Sequence, residues 1–492
     1  MVSRIKNNLL AGLMASLMAL TLAVVGMTGT ASAVDVNING TVNAATALAT
    51  TNTLINTTDD VAAGVFQYAS DDIQATTTYG AASNIDFNTH VFLVDAGGNN
   101  AVASFGTLDV ATGAELIVAL GQTDGDTKGA NNHDQEVRFA GNVTGTGTLT
   151  VRSGEGTAAN LGGLTNKVTI GQGGATTAIG NLKIQGSAAD ASNQGYKLQV
   201  VDLAGGAVTA VTNVEVTGSA GGDSNTNGIG GVLTVTDATA LITAGGEIKF
   251  TGGAGGALGV GGAVTVADIS GGLKAPTITF TGGAGGASAT GATGGDGGAV
   301  ALTTTSNTAW TAADVVTVRF KGGAGADGLA NTASNQGGDG GAVGTTDLNQ
   351  AYTGTNLYIE GGAGGDGGAG NAAVGGIGGA GGAVSGFTSA GQITSNVFIN
   401  TGTAGAAGAA GAGSASGGAS GAGGAVTITD FTTGVAGSIT LTTGGGGAAG
   451  AGSSTGVGGI GADGGVLTFS DNATMTAGSG GGHFTATSGN GG

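Results

Sequence analysis

Residues 361–384 read GGAGGDGGAGNAAVGGIGGAGGAV, and two features of this stretch decide the fold. Glycine recurs in a frame of three on either side of Ala373-Val374, and the second of these frames runs into the tetrad Gly381-Gly382-Ala383-Val384, whose valine opens an alternating apolar run. The same tetrad begins at Gly261, Gly297, Gly340 and Gly423, as GGVL at Gly230 and Gly464, and as a forerunner at Gly205. From Gly230 on, each copy opens a strand-like module. Most modules keep one length (Gly261 to Gly282, Gly340 to Gly361, Gly381 to Gly402, Gly423 to Gly444), whereas the inserts between them grow. The inserts are Gly252 to Val260, Gly282 to Asp296, Gly322 to Asp339, Gly361 to Ala380, Gly402 to Ala422 and Gly444 to Asp463. A constant coil with expanding side loops explains the drifting period, and a repeat of this size specifies a solenoid.

Within the modules apolar residues alternate: Val264 and Val266, then Ile278 and Phe280; Val426 and Ile428, then Ile439 and Leu441. That pattern gives two short strands per module and no helix. Stacked in parallel, such modules form ladders spaced about 4.8 Å apart and bury a long, thin core. The triplet frame of the inserts has the period of polyproline II, which has three residues per turn and rises about 3.1 Å per residue. Collagen shares the period but needs abundant proline, and the chain has only Pro276. The insert from Gly361 reads as an out-and-back hairpin around Ala373-Val374, with arms extending roughly 28 to 37 Å. A flexible low-complexity loop is the alternative. The expected fold class is all-β: a parallel β-solenoid (β-helix) with glycine-rich, polyglycine-II-like inserts between its C-terminal coils.

A glycine load of 110 in 492 residues favours disorder on composition alone, but hydrophobic residues at 40% supply enough apolar surface for an ordered core. Arg4 and Lys6, the apolar stretch from Leu9 to Met27 and the small-residue site Ala31-Ser32-Ala33 make residues 1–33 a cleaved signal peptide. No transmembrane segment follows it. The expected division is then an irregular β-helix region over 34–204 and the repeat solenoid over 205–492. Removing Arg4 and Lys6 deepens a formal charge that is already −19, which disfavours nucleic acid and anionic lipid as partners. There is no cysteine, so stability must come from stacking rather than disulfides. A secreted or bacterial cell-surface location follows from these features.

Upstream of the inserts, Phe139-Ala140-Gly141-Asn142-Val143-Thr144-Gly145-Thr146-Gly147-Thr148-Leu149-Thr150-Val151 and Gly180-Asn181-Leu182-Lys183-Ile184 read as turn-strand units of irregular coils. These stretches resemble the passenger regions of bacterial autotransporters and filamentous-haemagglutinin-like surface proteins. The resemblance implies a β-helical surface rod and adhesive or structural use. Autotransporters end in a membrane β-barrel, whereas this chain ends in Thr485-Ala-Thr-Ser-Gly-Asn-Gly-Gly492. That departure implies either a piece of a longer protein or another export route.

Residues able to carry chemistry are sparse. His90, His133 and His483 occur in unrelated contexts and give no metal-ligand spacing. His133-Asp134 beside Glu136 reads as a solvated polar turn, and the neighbours in Asp59-Asp60 and Asp71-Asp72 point to opposite strand faces. No catalytic residue and no cofactor is expected. An acid recurs seven residues after the first tetrad glycine, at Asp237, Asp268, Asp347, Asp430 and Asp471, with Thr304 and Thr388 interrupting. An Asx-type turn explains that position, and calcium held between stacked carboxylates is the sharper reading. Asp327 lies in the one stretch, from Gly322 to Ala330, that fits a calcium-roll nonapeptide, but tandem copies are absent. Trp310 and Tyr352 read as turn aromatics, or else as a carbohydrate-stacking surface.

Three functions compete. The first is a non-enzymatic structural or adhesive surface protein whose partners are copies of itself, a host or cell surface, or matrix. The second is an ice-binding protein using glycine-rich helices or Thr pairs such as Thr148/Thr150, Thr277/Thr279, Thr427/Thr429 and Thr440/Thr442. The third is a polysaccharide-active β-helix enzyme, for which the sequence shows no acidic cluster.

Overall fold

Three parallel sheets wind around one long core. The computed structural model describes residues 76–492, apart from 94–100, 121–134, 154–164, 187–197, 222–229, 303–314, 470–482 and breaks of four residues or fewer. The expected signal peptide and Asp59-Asp60, Asp71-Asp72, His133 and Trp310 lie outside the described residues. The first sheet has 12 strands, from Thr76–Tyr79 to Leu467–Phe469, and the third has 12, from Thr89–Leu93 to Phe484–Thr487. A second sheet of 7 short strands runs from Ser83–Ile85 to Leu273–Lys274. One coil thus visits the three sheets in turn, as Gln135–Phe139, Val143–Gly145 and Thr148–Ser153 do. The all-β parallel solenoid expected from the repeat is the observed fold.

Alternation places one side of each strand in the core. An inward ladder on the third sheet runs in register from Leu116 through Leu149, Leu182, Val214, Ile248, Ile278 and Val318, every member fully buried. Beside it Phe250, Phe280 and Phe320 stack with centroids 5.1 and 5.0 Å apart. Burying each such side chain contributes about 1.5–3 kcal/mol. Identical residues recur on adjacent coils because a parallel, in-register stack puts like beside like.

The coil changes shape after Lys274, where the second sheet ends. Further on, Tyr352, Ile393 and Val435 take its place as single inward residues joined by isolated bridges. Tyr352 is 1% exposed, so it is a core residue and not a stacking surface for carbohydrate. Its hydroxyl donates to Asn356 O at 2.7 Å, and burial pushes its pKa up. At residue 204, by contrast, the first and third sheets pass from Leu198–Asp202 to Val232–Asp237 and from Asn181–Gln185 to Val214–Thr217 without a break.

The early coils also hold a cluster of ion pairs, and a single pair, Arg319 with Glu360 at 3.5 Å, lies further on. Glu136 accepts from Arg138 at 2.7 Å and from Thr169 Oγ1 at 2.8 Å, and Lys167 bridges towards it and to Asp202, 3.1 Å away. Burial raises the Glu136 pKa, but hydrogen bonds from Arg138 and Thr169 and the charges of Arg138 and Lys167 outweigh it and hold the carboxyl below its ordinary value.

Candidate functional site

All the glycine inserts leave the coil at one corner, between a third-sheet strand and the next first-sheet strand. The insert from Gly361, for example, joins Asn356–Glu360 to Val384–Ser389. Stacked coils therefore stack their inserts, and the outgoing and returning arms form two columns. Hydrogen bonds knit these columns with a period of three. On the outgoing arm Gly361, Gly364 and Gly367 donate to Asn400, Thr403 and Ala406 of the next coil at 2.8–2.9 Å. The following glycines, Gly362, Gly365 and Gly368, donate across to Gly341, Gly338 and Asn335 on the previous returning arm. The third residue of each triplet points out: Ala363, Asp366 and Ala369 are exposed, whereas Gly365 and Gly368 are buried and Gly364 and Gly367 half-buried. Period three with backbone donors aimed at neighbours matches a polyproline-II-type helix bonded side to side.

Cross-column bonds form one relay: Gly382 donates to Gly362, Gly362 to Gly341, Gly341 to Gly323, Gly323 to Gly298, Gly298 to Gly283, and Gly283 to Gly262. Only glycine fits there. A Cβ on Gly298 would meet the carbonyl of Gly262 far inside van der Waals contact. The relay also explains the tetrad. In Gly261-Gly262-Ala263-Val264 the first glycine donates to Asp296 of the next coil, the second donates to Gly253 of its own outgoing arm, and Val264 begins the strand.

At one step of the relay a side-chain hydroxyl stands between two glycines. Thr401 Oγ1 donates to Gly424 O at 2.5 Å and accepts from Gly444 N–H at 2.7 Å, so a hydroxyl stands in the relay. On the outer faces, third-position N–H groups gain partners from aspartate. Asp296 Oδ1 accepts from Asp339 N–H, Asp339 from Ala380, Asp327 from Asp366, and Asp366 from Ala406, all at 2.7–2.8 Å.

Asp327 therefore sits on an outer face as a backbone acceptor. Asp237, Asp347 and Asp430 fall at the ends of first-sheet strands rather than in the turns after them. Thr388 lies in register between Asp347 and Asp430, and Asp237 pairs with Asp202. Asp268 and Asp471 lie outside the described residues, among which no group of three or more His, Cys, Asp or Glu could hold a metal. His483 is an exposed residue that leads into the last strand, and His90 lies on the strand Thr89–Leu93. Thr277 and Thr279 stand in register with Glu247 and Lys249 on one side and Thr317 and Arg319 on the other, so they do not extend into a Thr array. Thr150 is fully buried and donates to Glu115 at 2.6 Å.

Sequence reading missed the first arm pair. Gly218 donates to Thr251, Gly221 to Ala254, Gly230 to Val260 and Gly231 to Ser219, so the two-column bundle begins one coil before Gly252. Its frame, GSA GGD SNT NGI GGV, hides the period because Ser219 occupies a glycine position. The Gly230 tetrad that closes it was the available signal. No family model, curated protein or solved structure matches the chain.

Proposed function

We propose that the chain is an exported, non-enzymatic cell-surface protein, structural or adhesive, in which the coil is a rigid rod and the arm bundle is its contact surface. The observation that carries this reading is the chemistry of the bundle. The N–H groups at its inner positions bond within it, and what it offers outward is a lattice of third-position residues, mostly alanine, with a few aspartates. No Lys or Arg occurs after Lys321, so the bundle has nothing with which to hold an anion. Among the described residues no helix is long and apolar enough to cross a membrane. Fractionation and electron microscopy of producing cells test the proposal: surface rods, a polymer or a coat are expected, and retention of the chain inside the cell overturns it.

Ice binding is the second reading, moved from the Thr pairs to the outgoing face. Ala363, Ala369, Thr403, Ala409, Ala448 and Ala451 present small side chains there in rows. Thermal hysteresis at micromolar protein is the expected result on this reading, and its absence removes it.

A further inference from the structure

The returning face of the bundle differs from the outgoing one in relief. Val374 and Ile377 are 50% and 40% exposed, and Val457 and Ile460 are 74% and 77% exposed. Hydrogen bonds fix how these rows lie. Gly375 and Gly378 donate to Ser416 and Ala419, while Gly417 and Ser420 donate to Val457 and Ile460. Val374 and Ile377 on one arm are thus followed by Ser416 and Ala419 on the next, and by Val457 and Ile460 on the one after. The face is a ridge, a trough floored by small side chains, and a second ridge, with neighbouring arms about 4.8 Å apart on the coil spacing.

We propose that this relief is a self-association surface whose occupant is a second copy of the chain. In each copy the Val457/Ile460 ridge enters the Ser416/Ala419 trough of the other. The proposal rests on the reading of the bundle as a contact surface and names its partner.

Three observations select a second copy. The ridge and the trough share one triplet step, so side chains three residues apart on one copy meet gaps three residues apart on the other. Turning the second copy so that its coil order runs opposite, and offsetting it by one coil, places both ridges in both troughs at once, as a closed two-fold interface requires. None of Val374, Ile377, Ser416, Ala419, Val457 and Ile460 is charged, so two acidic chains can meet on these rows, with the exposed Asp463 one triplet away at the edge of the contact.

The area sets the strength. Three or four arms spaced about 4.8 Å apart, each contributing roughly 28 Å of length, give about 400–550 Å² per copy. Doubled, that lies near the lower bound of about 1,000 Å² for a specific interface, so the dimer is weak and concentration-dependent. The exposed valines and isoleucines supply its apolar centre.

Sedimentation velocity of the full chain from about 1 to 300 μM reads the equilibrium, a range chosen for the low-area class of interface. A reversible dimer is expected at the upper end. Val457→Asp with Ile460→Asp, and separately Ala419→Leu, should each leave a monomer throughout, whereas Ala409→Asp on the opposite face should leave the dimer intact. Because the chain has no cysteine, an oxidative cross-link gives a second readout without background. Ile460→Cys mixed with Ala419→Cys should yield a linked heterodimer in excess of either homodimer. A chain that stays monomeric, or a dimer indifferent to these substitutions, overturns the proposal. If the chain is monomeric but still coats cells, the self-association falls and the contact surface stands.

Discussion

The coil and the arm bundle share one axis and one repeat, yet opposite chemistry holds them together. In the coil, side chains do the binding: Phe250, Phe280 and Phe320 form a stacked, fully buried column, and the outer face of each strand is free to vary. In the bundle the backbone does it, and a side chain on a relay glycine such as Gly298 is an obstruction. The difference teaches that a high glycine content can specify order when each glycine has a neighbour to bond. The arms are not stable by themselves in this scheme. The arms need the coil to bring them side by side, because an isolated polyproline-II-type helix has no hydrogen bonds of its own.

The sharpest way to break the comparison is to make the same kind of change in both regions. Phe280→Ala in the coil leaves a void between two rings and should cost about 3–5 kcal/mol, seen as a large fall in the denaturation midpoint. Gly298→Val adds volume in the bundle and should cost about 1–3 kcal/mol or more. Its signature is local: amide exchange should accelerate at Gly283, Gly298 and Gly323 while Ile278 and Val318 keep their protection. If both variants lost protection everywhere, the two regions would be one cooperative unit. Thr401→Val tests the place where a side chain has entered the backbone relay. It leaves Gly424 O and Gly444 N–H without their hydroxyl partner and should cost about 1–3 kcal/mol, with the exchange change centred on Gly444.

Two smaller effects sharpen the contrast from the coil end and from an arm tip. Glu136 has its pKa depressed in the folded chain, so the stability it contributes is fully present above its unfolded value and is lost as pH falls through the folded one. Glu136→Gln should therefore be less stable than the parent near neutral pH, and the two melting curves should converge on acidification. The bundle has no such ion pair among its described residues and should show no matching acid step. Leu258, in the turn between two arms, has φ of 61° and is the one non-glycine residue with positive φ among those described. Leu258→Gly removes that strain, and the gain, about 1 kcal/mol at most, should appear as a small rise in melting temperature.

Much of this architecture was legible because repetition exposes it. Val264, Val266, Ile278 and Phe280 showed both period two and the module length, and the tetrads marked the corner at which arms return. Two things were hidden for physical reasons. The two-column bonding lies between backbone groups, which carry no residue-specific signal, so the sequence showed a frame of three without showing what it touched. Tyr352 looked like a turn aromatic because the second sheet had already ended, and the single inward residue that replaces a strand leaves no alternation to read. The Gly218 arm escaped through its Ser219, and the Val457/Ile460 ridge emerges only from the bonds to Gly417 and Ser420 that give it neighbours.

The bonding between successive arms also limits how the molecule can change its dimensions. Gly370 near an arm tip donates to Ala409 on the next arm, so an arm can outreach its neighbours by about one triplet before its outermost amides lack acceptors. Inserts that lengthened abruptly would leave a rim of unsatisfied donors, whereas a gradual taper does not. Rod length and bundle width are thus separate dimensions: copying a module extends the first anywhere, and the second widens only in steps that adjacent copies share. The slow growth from the Gly252 insert to the Gly444 insert has the form that this constraint requires of a lineage duplicating and trimming its own repeats.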